Sequence, residues 1–456
     1  MKSYWQFLSG HSDDLHQISF SGPEKILPSV FDVSGFASDV IAIANLATAE
    51  LKAARMNSTK ISSVKVDRVE ACAAFRSEAL LKGQGWEIPA AWDPIAGDYM
   101  TANGWIRLHT NYSYHLQAVL NVLKVSANRE EVSSKVASLN SEELEKSVVE
   151  AGGCAAVLRD YQSWQTHFHG EYAVQELPIF LEKMSSHQKP AFGAISSSEK
   201  PLSGIRVLDL TRVIAGPECT RFLSSQGADV LRIDPHGFAE VAALLPETTV
   251  GKRCAFLDIS TSDGKKVFEA LLREAHVLVH GLRPGALDKL GFTRERVSQI
   301  NSSLVIATMN AYGWHGPWKH RRGFDSLVQM STGIAAAGAL AKNSSKPYPL
   351  PAQALDHGTG FLLAAGVCRA LTELYKNRTN CFVKGSLVGA ANILLKGPSG
   401  NIHSSLPEAS YFESAMIDDM TYWGPVRRVR PPGEIDGEKG QWIIPAAPLG
   451  TAKAEF

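Results

Sequence analysis

The stretch IRVLDLTRVIAGP (205–217) places a short apolar run directly before a polar turn. Similar apolar runs follow at DVLRI (229–233), VLV (277–279) and LVIATM (304–309), and helix-like stretches lie between them at KKVFEALLREA (265–275) and RERVSQI (294–300). Short strands that alternate with helices of about ten residues are typical of a parallel sheet covered by helices on both faces. The sequence therefore predicts an α/β domain with an open parallel sheet.

The amino-terminal part has a different pattern. Val40–Arg55 is rich in alanine and long enough for one helix, and Asn103-Gly104 between two apolar runs predicts a β-hairpin. Asn140 precedes SEELEKSVVEA (141–151) in the manner of a helix-capping residue. We predict four segments: a small α+β domain over 1–184, a polar linker over 185–200, the α/β domain over 201–400 and a wrapping tail over 401–456.

The amino-acid composition disfavours several classes of protein, including those that bind nucleic acid or a membrane surface. The chain has 456 residues, with 46 Lys and Arg against 46 Asp and Glu, and this balance disfavours nucleic acid or a membrane surface as a partner. Its 45% of apolar residues disfavours a disordered chain. Six cysteines without a CxxC pair favour a reducing compartment. With no apolar leader or apolar run of about 18 residues, we expect a cytoplasmic protein.

An internal repeat links the two parts. At an offset of 323 residues, and after a four-residue gap for the last pair, the matching positions are Leu27-Pro28 with Leu350-Pro351, Gly35 with Gly358, Glu50-Leu51 with Glu373-Leu374, and Val64-Lys65 with Val383-Lys384. Asp356 of the second copy corresponds to Val33 of the first. Only the second copy therefore carries a carboxylate at this position.

Several common sites are disfavoured. The turn TRVIAGPECT (211–220) lacks the GxGxxG pattern, so we expect no nicotinamide or flavin cofactor. No GxSxG string marks a hydrolase nucleophile. His167 and His169 have no third ligand at a suitable spacing, so we expect no metal site.

Seven short strings in a defined order are more informative. They are VLDLTRVIAGP (207–217), GADVLRID (227–234), GKRCAFLDI (251–259), LRPGALDKLGF (282–292), NAYGWHGPW (310–318), RRGFDSLVQ (321–329) and LDHGTGF (355–361). Their order and spacing over about residues 201–390 resemble the family III CoA-transferases, which include formyl-CoA and carnitine CoA-transferases and the α-methylacyl-CoA racemases. Residues 27–72 and 97–160 resemble further parts of the same family. The chain thus resembles a fused, partly truncated duplicate.

The resemblance implies a fold and a reaction. The fold is a Rossmann-like large domain with a small α+β domain, and the reaction transfers CoA from an acyl-CoA to a small carboxylic acid. In the family an aspartate attacks the thioester to give an anhydride and then an aspartyl thioester; its position matches Asp356, followed by His357 and Gly358. Family members form interlocked dimers, so this chain is expected to be a homodimer or a pseudo-dimeric monomer.

Purely structural roles for the same residues are the alternative interpretation. Asp356 suits the cap of a helix that begins near Thr359, and His357 suits a hydrogen-bonded structural role. In the racemase branch the resemblance places a histidine at Phe324, so two-base epimerisation is disfavoured. Asp325 is expected to pair with Arg321 or Arg322.

The resemblance also implies the CoA contacts, which are Arg212, Val213, Ala215, Gly281, Leu282, Arg283 and Lys289. The three cations suit the nucleotide phosphates. Ile214 and Pro235 depart from the residues of the transferases. They leave two alternatives beside CoA transfer: an acyl-CoA racemase or epimerase, and a family member recruited to other chemistry or to binding alone.

Overall fold

The computed structural model describes residues 1–187, 189–238, 240–397, 402 and 405–456. These residues form seventeen strands: β1 (Ile18–Ser21), β2 (Val64–Asp67), β3 (Lys82–Gly83), β4 (Gly97–Thr101), β5 (Gly104–Leu108), β6 (Ala155–Val157), β7 (Ile179–His187), β8 (Arg206–Leu210), β9 (Asp229–Asp234), β10 (Lys252–Phe256), β11 (Val277–His280), β12 (Val305–Asn310), β13 (Thr379–Ser386), β14 (Met416–Thr421), β15 (Gly424–Val429), β16 (Glu434–Ile435) and β17 (Glu438–Lys439).

The same residues form eighteen α-helices: α1 (Lys2–Phe7), α2 (Val33–Arg55), α3 (Arg68–Ala74), α4 (Ser77–Leu80), α5 (Ser113–Leu123), α6 (Arg129–Ala137), α7 (Ser141–Glu150), α8 (Tyr161–Gln165), α9 (Gly170–Ala173), α10 (Ala215–Ser225), α11 (Leu245–Thr248), α12 (Ser262–Glu274), α13 (Ala286–Lys289), α14 (Arg294–Ile300), α15 (Asp325–Thr332), α16 (Ile334–Ala341), α17 (Ala354–Asn377) and α18 (Leu387–Leu395). Short 3₁₀ helices lie at Ser12–Gln17, Ala242–Leu244 and Ala409–Ala415.

The large sheet has the strand order β10-β9-β8-β11-β12-β13-β7. The strands β8 to β13 are parallel to one another, and β7 is antiparallel at the edge. Counted from β8 as the first, the six parallel strands have the order 3-2-1-4-5-6 of a doubly wound fold, in which ligands bind where the winding reverses. The predicted parallel α/β sheet is confirmed, and the reversal lies between β8 and β11.

Most of the predicted elements are present. The four predicted strands are β8, β9, β11 and β12, the Asn103-Gly104 turn joins β4 to β5, and Asn140 caps α7 through the amides of Glu142 and Glu143. Strand β10 was not predicted, because it begins with the charged pair Lys252-Arg253. In the folded chain the Lys252 ammonium is buried and lies 3.1 Å from Asp209, a partner on β8 that is distant in sequence. Because of this charged pair, β10 lacks the continuous apolar run by which the other strands were predicted.

The segments along the chain are interleaved in the fold. Strand β7 (Ile179–His187) crosses the expected boundary at 184 and pairs with β13, so the amino-terminal part supplies an edge strand of the large sheet. The last strands return to the amino-terminal part, where β15 pairs with β3 and β16 pairs with β2. Ala452 also donates its amide to Cys254 of β10. The expected start of the tail at 401, and residue 188 of the expected linker, lie outside the described residues.

The internal repeat is visible in the structure. The offset of 323 residues relates α2 to α17, and after the gap β2 corresponds to β13 and α3 to α18. The two alanine-rich helices α2 and α17 pack against each other in one hydrophobic core. Arg369 on α17 pairs with Glu50 on α2 and with Glu373, the counterpart of Glu50 in the second copy. Across the described ranges, no helix is both long enough and apolar enough to cross a membrane.

Candidate active site

A cavity of about 360 Å³ lies at the reversal of the sheet. Its walls include the turns that follow β8 and β11, the end of β12 and the first turn of α17. Seven residues selected from the sequence line it together: Arg212, Val213, Ala215, Gly281, Leu282, Arg283 and Asp356. Three others, His357, Gly358 and Lys289, are not among the lining residues. The fold thus brings one carboxylate and two strand-end turns to a single cavity.

The turn after β8 is held by a carboxylate at the end of that strand. Asp209 accepts the Thr211 amide at 2.8 Å and the Thr211 hydroxyl at 2.5 Å, and its second oxygen accepts the hydroxyl of Thr220. Two residues later Val213 has a φ of 64°, a left-handed conformation that is unfavourable for a β-branched residue. Strained backbone of this kind concentrates at binding and catalytic sites. Val213 lines the cavity.

Asp356 lies in the first turn of α17, which is capped by another residue. Oδ2 of Asp325 accepts the amide of Leu355 at 2.8 Å and that of Asp356 at 3.1 Å, so it satisfies two free N–H groups of the helix end. The helix begins at Ala354, so the expectation that Asp356 caps a helix starting near Thr359 is wrong.

The expected pairing of Asp325 with a neighbouring arginine is also wrong. Arg321 lies 3.1 Å from Glu145 and donates to the Ala155 carbonyl, and Arg322 donates to the carbonyl of Gly152. Both arginines thereby bind the small domain, which leaves Asp325 to cap α17.

The carboxylate of Asp356 has an unusual environment. The residue is 7% exposed, lines the cavity, and accepts no hydrogen bond from any described residue. Burial raises its pKa well above the ordinary value, the charge of Asp325 raises it further, and the cation of His357 opposes both effects. Burial also raises the pKa of Asp325, to about 6, against the hydrogen bonds that it accepts. An unsolvated carboxylate without hydrogen bonds is a stronger nucleophile than a solvated one, once it is ionised.

His357 lies between two carboxylates. Its Nδ1 is 2.8 Å from Glu218 on α10, its Nε2 is 2.9 Å from Glu78 on α4, and its ring stacks on Phe75. Burial disfavours the charged imidazole, but the two glutamates outweigh burial and raise the pKa of His357 to about 10. The hydrogen-bonded structural role left open by the sequence agrees with this arrangement, which places a fixed cation one residue from Asp356.

The glycines after Asp356 allow close packing. A Cβ atom at Gly358 would lie 2.3 Å from the ring of Phe36 on α2, and one at Gly360 would lie 2.6 Å from the carbonyl oxygen of Ala215. No side chain fits at either distance. Gly358 therefore allows the second-copy helix to contact the first-copy helix, and Gly360 allows it to contact the cavity turn.

The three candidate phosphate-binding cations differ in their surroundings. Arg212 lies 3.5 Å from Asp234 and its guanidinium lies over the ring of Phe238 at 3.5 Å. Arg283 is exposed at the cavity and has no ion-pair partner among the described residues. Lys289 is exposed at the end of α13, beyond the cavity. Arg283 is thus the cation most available to an anionic ligand in the cavity.

Other cavity residues come from the small domain and were not selected from the sequence. Tyr112, Tyr114 and His115 at the start of α5 line the cavity together with Phe238 and Phe324. Phe324 lies in the string RRGFDSLVQ (321–329), but no spacing or motif marks the other four aromatic residues, because the segments that meet here are distant in sequence. Within the described ranges, no three His, Cys, Asp or Glu side chains are grouped as metal ligands would be.

Comparisons with known proteins give matches to part of this chain. The model of CoA-transferase family III matches residues 202–406. A formyl-CoA:oxalate CoA-transferase of Rhodopseudomonas palustris (strain HaA2) is 29% identical over 229 residues, 47% of this chain and 53% of that protein. The protein of the same name from Escherichia coli O81 is 34% identical over 192 residues, 39% of this chain and 45% of that protein.

A solved structure gives a similar partial match. The protein Rv3272 of Mycobacterium tuberculosis is 31% identical, with a TM-score of 0.39, over 43% of this chain and 56% of that chain. The chain spans about half the length of the curated relatives that it matches. The part that matches, residues 202–406, includes the whole parallel sheet and Asp356, so the similarity to CoA-transferase family III lies in this part of the chain.

Proposed function

We propose that the protein is a CoA-transferase that moves CoA from an acyl-CoA to a carboxylic acid, with Asp356 as the nucleophile. The observation that carries the proposal is the position of the Asp356 carboxylate. It lines one cavity together with the turns after β8 and β11, and no described residue donates a hydrogen bond to it. A structural carboxylate at this depth would be paired, because an unpaired buried charge is costly.

The reaction proceeds by four acyl exchanges that balance in atoms and charge. The Asp356 carboxylate attacks the thioester carbonyl, which forms an anhydride and releases the CoA thiolate. The thiolate attacks the aspartyl carbonyl, which forms an aspartyl–CoA thioester and releases the first acid. The second acid attacks this thioester to form a new anhydride and thiolate, and the thiolate takes the new acyl group. Asp356 is regenerated as a carboxylate.

The protein groups have distinct roles in this scheme. The turns of residues 212–215 and 281–283 bind CoA, with Arg283 attracting a phosphate. The cation of His357 favours the ionised form of Asp356, and Asp325 holds the first turn of α17 in place. Covalent catalysis of this type divides one difficult exchange into easier steps.

Mass spectrometry of the full chain tests the proposal. After incubation with acetyl-CoA and a rapid quench, we expect a CoA-sized adduct on the peptide that contains Asp356. The adduct should disappear in Asp356→Asn and persist in Asp288→Asn, a change to an exposed aspartate on α13. Full acid exchange by Asp356→Asn would refute the mechanism. Solvent deuterium at the α-carbon of an acyl-CoA, without acid exchange, would identify an isomerase instead.

A further inference from the structure

One side of the cavity is built from aromatic rings, which we call the aromatic wall. It consists of Tyr112, Tyr114, His115, Phe238 and Phe324, all of which line the cavity. The first three lie at the start of α5 in the small domain, and the other two lie in loops of the α/β domain. The wall is therefore assembled only when the two domains meet.

The rings of the aromatic wall contact one another. The ring of Tyr112 lies 5.6 Å from that of Tyr114 and 5.4 Å from that of Phe238, and the ring of His115 lies 5.8 Å from that of Phe324. The buried His109 stacks on Phe324 at 3.7 Å with the two planes 2° apart. The wall is thus continuous and supported from behind, which preorganises it for a flat ligand.

The aromatic wall adjoins the proposed nucleophile. Phe324 directly precedes Asp325, and Asp325 accepts the backbone amide of Asp356. The two strand-end turns that bind CoA in the proposed function line the same cavity, and Arg212 of the first turn lies over the ring of Phe238 in the wall. An acyl group on Asp356 therefore shares its part of the cavity with the aromatic wall.

The aromatic wall carries no ionised side chain of its own near neutral pH. Burial lowers the pKa of His115 to about 4, and that of His109 behind it to about 3. Burial raises the pKa of Tyr112, whose hydroxyl donates to Glu240 at 2.6 Å. The wall can thus contact an apolar group without leaving a charge unsolvated.

One cation lies beside the wall without a carboxylate partner. Arg322 lines the cavity, donates to the Gly152 carbonyl, and has its guanidinium 6.0 Å from the ring of Tyr114. No acidic side chain of the described residues forms an ion pair with it. Arg322 suits the carboxylate that must enter the cavity and react. Arg283, the other cavity cation without an ion pair among the described residues, is assigned to a CoA phosphate in the proposed function, so a second carboxylate against the rings would be buried without a partner.

We infer that the acid substrates of this site are aromatic monocarboxylic acids, held with their rings against the aromatic wall. This inference deepens the proposed function and depends on it. Small dicarboxylic acids are poor substrates, because they gain no contact with the rings and bury a second charge. Tyr114, which is 44% exposed at the cavity, is a residue that determines this specificity.

The test is a comparison of acceptor acids with acetyl-CoA as the donor. We expect kcat/KM for benzoate and phenylacetate to exceed that for propionate, oxalate and succinate by about ten-fold or more. Tyr114→Ala should lower the ratio of benzoate to propionate by roughly five- to ten-fold, and Tyr114→Phe should restore it. Tyr422→Ala, which removes an exposed tyrosine of the β14–β15 turn, should leave the ratio unchanged.

The possible outcomes separate this inference from the proposed function. If oxalate or succinate is preferred, or if Tyr114→Ala leaves the ratio unchanged, the substrate inference is wrong even when the adduct on Asp356 forms. If no acyl-CoA gives an adduct and no acid exchanges, the proposed function itself is wrong. If benzoate exceeds propionate and the ratio follows the ring at position 114, the inference stands.

Discussion

His357 Nε2 lies 2.9 Å from Oε2 of Glu78, and this contact joins the amino-terminal part of the chain to the first turn of the helix that carries Asp356. Glu78 follows α3, an element of the first copy of the repeat, while His357 belongs to the second copy. The first copy has Val33 at the position of Asp356 and therefore no carboxylate there. The segment that follows it nevertheless supplies Glu78, which holds His357 beside the Asp356 carboxylate of the second copy.

The first prediction concerns this contact. Glu78→Gln keeps an acceptor for His357 but removes one of its two carboxylates, so the pKa of His357 should fall from about 10 towards its ordinary value of 6.5. Because the folded-state pKa is raised, the stabilisation by the charged pair is complete below about pH 6.5 and is lost as the pH rises towards 10. Glu78→Gln should therefore cost about 1–3 kcal/mol at pH 6–7, and less at higher pH.

NMR titration of the His357 ring and denaturant unfolding across this pH range measure both effects. Glu274→Gln is the matched control, because it removes a surface partner of Arg206 with half-exposed side chains and should change stability by less than about 0.5 kcal/mol. An unchanged His357 titration in Glu78→Gln would contradict the assignment.

The second prediction concerns the pH dependence of activity. The raised pKa of Asp356 means that the proposed nucleophile is protonated as the pH falls through that pKa, so kcat/KM should have an acid limb above the ordinary carboxyl range. Asp325→Asn retains an oxygen for the two helix amides but removes the nearby negative charge. The acid limb should therefore move to lower pH. Asp263→Asn, at an exposed site on α12, should leave it in place, and a limb that moves to higher pH in Asp325→Asn would exclude this electrostatic coupling.

The third prediction is that the proposed nucleophile, Asp356, lowers the stability of the fold. Asp356→Asn should abolish acid exchange and yet stabilise the fold by roughly 1–3 kcal/mol near neutral pH, because it replaces an unpaired buried carboxylate with a neutral group. A carboxyl group with a raised folded-state pKa destabilises the fold increasingly as the pH rises, so the gain should be larger at pH 8 than at pH 5.

Chemical denaturation at the two pH values measures this gain. Asp32→Asn is the control at the start of α2, where the aspartate accepts the Gly35 amide as a helix cap, and asparagine caps equally well. A loss of stability in Asp356→Asn would show that the carboxylate is paired in solution.

The fourth prediction concerns the contact between the two alanine-rich helices. Helix propensity alone favours Gly358→Ala by about 1 kcal/mol, but the new Cβ would lie 2.3 Å from ring atoms of Phe36. Overpacking of this kind costs about 1–3 kcal/mol, so the net effect should be a loss of stability. Phe36→Leu in the same chain should recover part of that loss. Gly193→Ala is the control, because no atom outside the adjacent residues lies within 4 Å of the new Cβ. A stabilised Gly358→Ala protein would show that the helices are further apart.

The fifth prediction separates two candidate CoA contacts. Arg283 lines the cavity and Lys289 lies beyond it, although both are exposed. Arg283→Gln should raise KM for acyl-CoA by about ten-fold at low salt, which corresponds to the loss of one charge-assisted contact, and salt should reduce the difference. Lys289→Gln should change KM by less than about three-fold. The reverse ranking would place the phosphates outside the cavity.

The sequence was a good guide wherever a local pattern carried the information. Apolar runs identified β8, β9, β11 and β12, and the Asn103-Gly104 pair identified the hairpin, because strand periodicity and turn preferences depend on neighbouring residues. The pattern of apolar residues did not predict β10, because Lys252 has the charge of a typical surface residue but is buried against Asp209. A pairing between residues so far apart in sequence leaves no trace in local composition.

The same distinction holds for the candidate site. Resemblance selected ten residues, and the fold brings seven of them to one cavity, namely Asp356 and six residues of the strand-end turns. The other three, His357, Gly358 and Lys289, do not line it. The resemblance gave no indication of the aromatic wall or of the Glu78–His357 contact, and local reasoning assigned Asp325 to a neighbouring arginine. These features depend on the docking of the small domain and of the first repeat copy.

Local periodicity and residue-by-residue correspondence are enough to predict the parallel α/β architecture, the internal repeat and a carboxylate in only one copy. The groups that surround this carboxylate follow only from the way in which the chain packs. The packing of α2 on α17 and of α5 beside the sheet brings Glu78, Asp325 and the aromatic wall together, and distances between such remote residues follow from how hydrophobic surfaces are buried against one another, not from their order along the chain.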